Sequence, residues 1–278
     1  QCRGRLAIVP DAGRRRMGGR VLDIILIGLL ASLAAGLMTG IGALPVLFGR
    51  QVSRRSNDAM LGFAAGVMLS ASYFSLILPG IAAGEAIYGG TTPAALIAGA
   101  GIALGALGVA ALNRVLPHEH FVSGPEGADP GALAKIWLFV IAITIHNFPE
   151  GLAVGVGFGG GDVANGLSLA TGIGLQNAPE GLAVAVALRG QGYTRGRAVL
   201  VAALTGLIEP VGGLLGVWAV HVSELVLPWG LTFAAGAMLY IISHEIIPET
   251  HRGGHQNVAT AGLVTGLIVM MLLDVTLG

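Results

Sequence analysis

Charge is scarce in this sequence of 278 residues. Only 11% of them are Asp, Glu, Lys or Arg, against about 25% in soluble domains. With 54% hydrophobic residues and a mean hydropathy of +0.80, the chain reads as a polytopic membrane protein. Cysteine is nearly absent. Cys2 stands alone, which excludes an internal disulfide and any thiolate metal cluster. The formal net charge is zero and no basic stripe offers a footprint for nucleic acid. Nothing resembles a cleavable signal peptide, because the first apolar run is too long and more follow it. Glycine, by contrast, is abundant. Its 46 residues have no collagen period and sit inside the apolar runs, as expected of helices packed through small residues.

Eight runs of about 20 residues or more are each long enough to cross a hydrocarbon core of about 30 Å. They cover 21–49, 58–83, 92–115, 134–158, 164–188, 198–222, 227–248 and 258–277. The expected fold is an all-α integral membrane protein with eight transmembrane helices in a single domain, 21–278. Residues 1–20 are polar and arginine-rich and are expected to be a disordered leader, with Met17 as an alternative start. The loop at 116–133 has too little apolar content to pack and is expected to be mobile. Glycine pairs four residues apart, Gly36/Gly40, Gly101/Gly105, Gly212/Gly216 and Gly262/Gly266, are expected to let helix backbones approach.

Lys and Arg set the orientation. Outside the leader, all nine lie in odd-numbered loops: Arg50, Arg54, Arg55, Arg114, Lys135, Arg189, Arg195, Arg197 and Arg252. Those loops are therefore cytoplasmic and both termini are outside, although the leader's arginines argue the other way.

Two polar hexapeptides interrupt the apolar runs. His146-Asn147-Phe148-Pro149-Glu150-Gly151 lies in the fourth and Gln176-Asn177-Ala178-Pro179-Glu180-Gly181 in the fifth. From His146 to Val156 and from Gln176 to Val186, eight of eleven positions are identical. Ionisable groups at membrane depth cost about 2.5–3.5 kcal/mol each on insertion scales, which makes a duplicated polar motif a functional site by default. His146 and Glu150 stand i, i+4 and share a helix face, as do Gln176 and Glu180. Pro149 and Pro179 free the carbonyls of Ile145 and Leu175 and are expected to kink the helices there.

The sixth span adds Glu209-Pro210, and the seventh adds His244-Glu245. No Lys or Arg lies within the interior of any span, so these carboxylates must be protonated, hydrated or neutralised by a bound cation. An imidazole among carboxylates suits Zn²⁺, and also Cd²⁺, Fe²⁺ or Mn²⁺, better than Mg²⁺ or Ca²⁺. His118 and His120 in one cytoplasmic loop, and His251 and His255 in another, are candidates for weak metal capture on the exit side. The second pair would stand i, i+4 if its helix continued. Asp274 reads as an interfacial carboxylate, and Met68, Tyr73 and Ser75 as packing.

His146-Asn147-x-Pro149-Glu150-Gly, Gln176-Asn177-x-Pro179-Glu180-Gly, Glu209-Pro210 and His244-Glu245 together resemble the ZIP (Zrt/Irt-like) family of divalent-metal transporters, specifically its bacterial GufA-like branch. The resemblance covers nearly the whole chain from residue 21. It implies a 3+2+3 arrangement in which the first and last three spans are inverted repeats. It also implies zinc uptake into the cytoplasm across the bacterial inner membrane, a homodimer, and an elevator-like movement of spans 1, 4, 5 and 6 against a scaffold of spans 2, 3, 7 and 8. By the same resemblance the site is binuclear. One position would use His146, Glu150, Gln176 and Glu180, and its neighbour Asn147, Glu150, Asn177, Glu180 and Glu209, with His244 and Glu245 on the exit path. Partners are then divalent metal ions and the lipid bilayer, with no organic cofactor and no nucleic acid. Many relatives have His in place of Gln176 and some have Asp in place of Asn177. Two divalent ions would bring four positive charges against three carboxylates, so the second position carries less charge compensation here.

Two other classes compete. A proton-coupled carrier or channel could use the same Glu and His as a relay. An intramembrane metalloprotease would need HExxH, but the sequence from His244 has Pro248 where the second His belongs. The chain is accordingly not expected to be an enzyme.

Overall fold

The computed structural model describes the backbone of residues 11–49, 53–115, 118–120, 124–126, 135–190 and 192–277. The first helix, α1, runs Asp11–Ala43 and continues as a 3-10 turn over Leu44–Phe48. Helicity therefore reaches back through residues 11–20, which the sequence reading had placed in a disordered leader. Ala12, Arg14–Arg16 and Met17 are good helix formers, and extending an existing helix gains one hydrogen bond for each residue fixed. The leader's first ten residues lie outside the described ones.

The other helices are α2 (Arg54–Ser70), α3 (Leu78–Tyr88), α4 (Thr91–Val115), α5 (Lys135–Gly159), α6 (Val163–Gly190), α7 (Arg195–Gly206), α8 (Glu209–Val222), α9 (Val226–Ile241), α10 (Ile247–His251) and α11 (Gln256–Leu277). Among the described residues, six segments are long and apolar enough to cross a membrane: Asp23–Phe48, Arg54–Tyr88, Thr91–Val115, Arg195–Val222, Val226–His251 and Gln256–Thr276. Within 116–133 the described residues form a short antiparallel ribbon, β1 (His118–His120) paired with β2 (Gly124–Glu126). The remainder of that loop, expected to be mobile, lies outside the described residues.

The interruptions of the helices lie near prolines, though not at Pro149 or Pro179. α5 and α6 stay helical through Pro149 and Pro179. The breaks come elsewhere. A π-helical turn over Ala71–Ile77 joins α2 to α3, and another over Ile242–Ile246 joins α9 to α10. Each is followed within two residues by a proline, Pro79 or Pro248, near the start of the next helix. A widened turn relieves the clash between a proline ring and the carbonyl four residues back. α7 ends at Gly206 and α8 restarts at Glu209, with Pro210 in its first turn, where the missing N–H has no cost.

The helices pack as two groups. In one, α1 lies against α5, α6, α7 and α8, and α5 against α6 and α8. In the other, α2 pairs with α11, and α4 with α3 and α9. The groups meet where α6 crosses α2 and α11 and where α5 crosses α9. All four glycine pairs singled out in the sequence sit inside one group or the other. Gly36/Gly40 face α7, Gly212/Gly216 face α5, Gly101/Gly105 face α9 and Gly262/Gly266 face α2. Within each group a Cβ on many of the glycines would strike neighbouring backbone, as at Gly66 against Leu263 or Gly155 against Gly213, and on others a side chain, as at Gly166 against Phe158. Between the groups, the described glycines meet side chains instead: Gly172 the thioether of Met270, and Gly230 the methyls of Val156.

Candidate metal site

The two hexapeptides end in glycines that decide how close their neighbours come. A Cβ on Gly151 would overlap the backbone oxygen of Glu209, and one on Gly181 that of Thr39. Bare backbone at these points lets α8 close onto α5 and α1 onto α6. The polar residues are thereby walled in. Glu150, Gln176, Asn177 and Glu209 are fully buried, Asn147 is 1% exposed and Glu180 8%.

α5 and α6 are joined at this level by the Gln176 amide, which donates to Glu150 Oε1 at 2.6 Å. Asn177 Nδ2 donates to Glu209 Oε1 at 2.7 Å and to the Ala35 carbonyl at 2.8 Å, so α6, α8 and α1 share one amide. Several buried oxygens in the cluster have no hydrogen-bond partner among the described residues: Glu150 Oε2, Gln176 Oε1, Asn177 Oδ1, Glu180 Oε1 and Glu209 Oε2. Both polar atoms of the Asn147 side chain are in the same condition. A buried polar group left unpaired costs about 1–3 kcal/mol. So many in one place form a buried set of acceptors that a cation could satisfy together.

His146 is oriented differently. Its Nε2 contacts Oε2 of Glu245 on the π turn of the other helix group. Glu245 Oε1 accepts from Asn113 Nδ2 of α4 at 3.1 Å. Among the described residues, no three His, Cys, Asp or Glu side chains already form an ion cage. The imidazole faces Glu245, and the converging donors near Glu150 include neutral amides.

Not every sequence candidate joins this cluster. His244 and Glu245 part company: Glu245 is buried toward His146, whereas His244 is exposed and lies over Tyr240, with ring centroids 4.9 Å apart. The i, i+4 placement of His251 and His255 does not form. α10 ends at His251, and the turn through Gly253 and Gly254, the latter at φ +80°, intervenes before α11. His251 Nδ1 lies 2.9 Å from the Ile247 carbonyl, while His255 Nδ1 lies 3.0 Å from Oδ2 of Asp58 on α2. His118 and His120 lie on β1, and their side chains are outside the described residues.

Three participants escaped the sequence reading. Asn113 and the 3%-exposed Asp58 have no local motif, since their partners are 132 and 197 residues away. The third is Ser168, which donates to Asp274 Oδ1 at 2.7 Å. Ser75 bonds the same oxygen, so it does more than the packing expected of it. Asp274 thus holds α6 and a π turn together, beyond an interfacial role.

A helical protein with several segments long and apolar enough to cross a membrane and a buried nest of carboxylates and amides, with no Lys or Arg among the nest's residues, has the makings of a cation carrier. Comparison with known proteins agrees. Residues 127–274 match the family model described as ZIP Zinc transporter. The chain is 48% identical over 251 residues to "Zinc transporter GufA" of Myxococcus xanthus, covering 90% of this chain and 99% of that one. It is 49% identical over 250 residues to "Zinc transporter ZIPB" of Bordetella bronchiseptica, covering 90% and 81% respectively. It is 34% identical to "Zinc transporter ZIP11" of Homo sapiens over 87% of this chain and 94% of the human one. The chain belongs to the ZIP family.

Proposed function

We propose that this protein carries divalent transition-metal ions, zinc foremost, into the cytoplasm across the bacterial inner membrane. The observation that carries the reading is the collection of unpartnered buried oxygens on Glu150, Gln176, Glu180 and Glu209. Of the three ways to satisfy such carboxylates, a proton, water or a cation, a bound cation would meet all these oxygens at once, and a mixed nitrogen and oxygen set suits Zn²⁺, with Cd²⁺, Fe²⁺ and Mn²⁺ behind it. The first metal position is assigned to His146, Glu150, Gln176 and Glu180. Its neighbour is assigned to Asn147, Glu150, Asn177, Glu180 and Glu209.

In this reading α5 and α6 also cross the bilayer, making eight spans in a 3+2+3 order with both termini outside. The matching π turns before Pro79 and Pro248, in the second and seventh spans, support an inverted repeat. The bundle of α1, α5, α6, α7 and α8 moves as an elevator against α2, α3, α4, α9, α10 and α11. Support for that division comes from backbone-tight glycine contacts inside each group and side-chain contacts between them. Glu245 then meets the cargo on its way out, with His244 and the loop histidines further along, and two copies assemble as a homodimer.

Flux of Zn²⁺ into liposomes containing the purified protein and a metal-sensitive dye tests the reading. Metal-dependent fluorescence should rise with protein and saturate with Zn²⁺. The competing reading, a proton carrier or channel, draws on the linked His146, Glu245 and Asn113 side chains. Acidification of the liposome interior without any metal flux would favour it and end the zinc assignment.

A further inference from the structure

We propose that the seam between α1 and α7 binds one anionic phospholipid, its phosphate held by Arg195 and Arg197 and an acyl chain lying along the seam. The two helices run antiparallel. Gly36 meets the backbone of Gly206, and Gly40 meets Ala203. At the far end the Arg195 guanidinium lies beside Gly49 and reaches the Leu47 carbonyl at 3.5 Å. α6 packs against both helices on one side. The other side is open. Leu37, Ile41 and Leu44 of α1 are exposed there, as are Leu200 and Leu204 of α7 and Leu207 at its end. Because the helices touch through glycine and alanine, the line between these two apolar rows is a shallow groove.

One end of the groove is charged. Arg195 and Arg197 are exposed, and among the described residues neither pairs with a carboxylate. Both stand in the first turn of α7, which holds no acidic residue, and positive charge there adds to that of the helix end. An arrangement that repels itself in this way is relieved by an anion. A Cβ on Gly196, between the two arginines, would meet nothing within 4 Å, so the approach is clear. Orientation alone accounts for arginines in loops. It does not supply an apolar groove that begins at them and has the length of a lipid chain. From Arg197 to Leu207 the helix rises about 15 Å, half of a hydrocarbon core of about 30 Å. A free phosphate ion would use the arginines only, whereas a phospholipid uses arginines and groove together. The opposite side of α1 carries Ala35 and Thr39, which meet Asn177 and Gly181. The lipid is thus bound to the helices that hold the hexapeptides, on the face turned away from them.

Native mass spectrometry of the full-length protein in detergent, with phosphatidylglycerol or phosphatidylcholine added, tests this without reference to transport. The parent should retain one phosphatidylglycerol per chain in preference to phosphatidylcholine, and glycerophosphoglycerol, the headgroup without chains, should not displace it. Arg195→Gln and Arg197→Gln should each weaken retention about fivefold, the scale of one basic residue at a charged lipid surface. Leu200→Ala combined with Leu204→Ala should weaken it as well, while Leu104→Ala, on the exposed face of α4, should not. Arg114→Gln, an exposed arginine at the end of α4, is the control for general attraction, and melting in detergent checks that each variant folds. Equal losses from Arg114→Gln and Arg197→Gln would overturn the proposal, as would equal retention of phosphatidylcholine. Displacement by glycerophosphoglycerol would make the arginines a phosphate site and end the lipid assignment. A parent that retains no lipid but forms dimers, which the leucine variants dissociate, would show that a second copy of the chain covers the seam.

Discussion

His146 Nε2 and Glu245 Oε2 touch across the boundary between the two helix groups. One lies on α5, beside the carboxylates proposed to carry metal. The other lies on a π turn, steadied by Asn113. On the proposed assignment of the site, metal and Glu245 compete for one imidazole. Glu245→Gln should weaken the hold on His146 and tighten Cd²⁺ binding by about tenfold, the scale of a charge-assisted hydrogen bond of about 1.5 kcal/mol. Titration calorimetry reads this directly. Affinity equal to or below the parent's would argue that the contact does not compete.

Glu150→Ala and Glu180→Ala should each nearly abolish Zn²⁺ uptake while the protein still folds, because each deletes a buried carboxylate and inserts no charge. His146→Ala should retain some uptake and shift preference away from Zn²⁺ toward metals content with oxygen ligands. Liposome uptake with competing Zn²⁺, Cd²⁺, Fe²⁺ and Mn²⁺ measures both. Parental rates in the two glutamate variants would place the transport site elsewhere.

Uptake should fall as external pH drops. Carboxylate and imidazole ligands must lose their protons before they bind a metal, so added protons compete with the cargo. At fixed Zn²⁺ the apparent KM should rise with acidity. A rate that climbs on acidification, at constant metal, would point to protons as a driving ion.

Orientation can be read with single cysteines in a Cys2-free background. Positions 125 and 192, in loops expected to be cytoplasmic, should resist an impermeant maleimide applied outside, and position 161 should react. The reverse labelling pattern would invert the topology.

His255→Ala removes the ring that reaches the buried Asp58 and should cost about 1–3 kcal/mol of stability. His118→Ala and His120→Ala should leave melting unchanged in detergent. If His255→Ala melts like the parent but transport stops, its role is chemical and the pairing with Asp58 is incidental.

Much of this was legible because local patterns carried it. The ends of six apolar segments fall within a few residues of the sequence expectation, since hydropathy and loop charge report them directly. The four glycine pairs each face a neighbouring helix, because spacing by four residues makes a groove whatever the partner. The hexapeptides were visible as polar residues in an apolar setting, and the structure joins them through Gln176 and Glu150. Asn113, Asp58 and Ser168 gave no such signal. Each is an ordinary polar residue whose meaning comes from a partner far along the chain. The π turns were missed for another reason. Pro79 and Pro248 announce a disturbance, but whether a helix kinks, widens or passes through depends on what packs around it. α5 and α6 stay helical across Pro149 and Pro179.

The glycines fall into two populations with different freedom to change over time. Those that touch neighbouring backbone, such as Gly66 and Gly155, cannot accept even a methyl group without separating two helices. The boundary between the groups is lined by exchangeable parts, Met270 against Gly172 and Val156 against Gly230. If one group moves against the other as proposed, small changes of volume there would alter the relative ease of the two positions and leave each half intact. Mutation can therefore tune the turnover of such a carrier, for a colder membrane or a scarcer metal, without touching the residues that hold the ion.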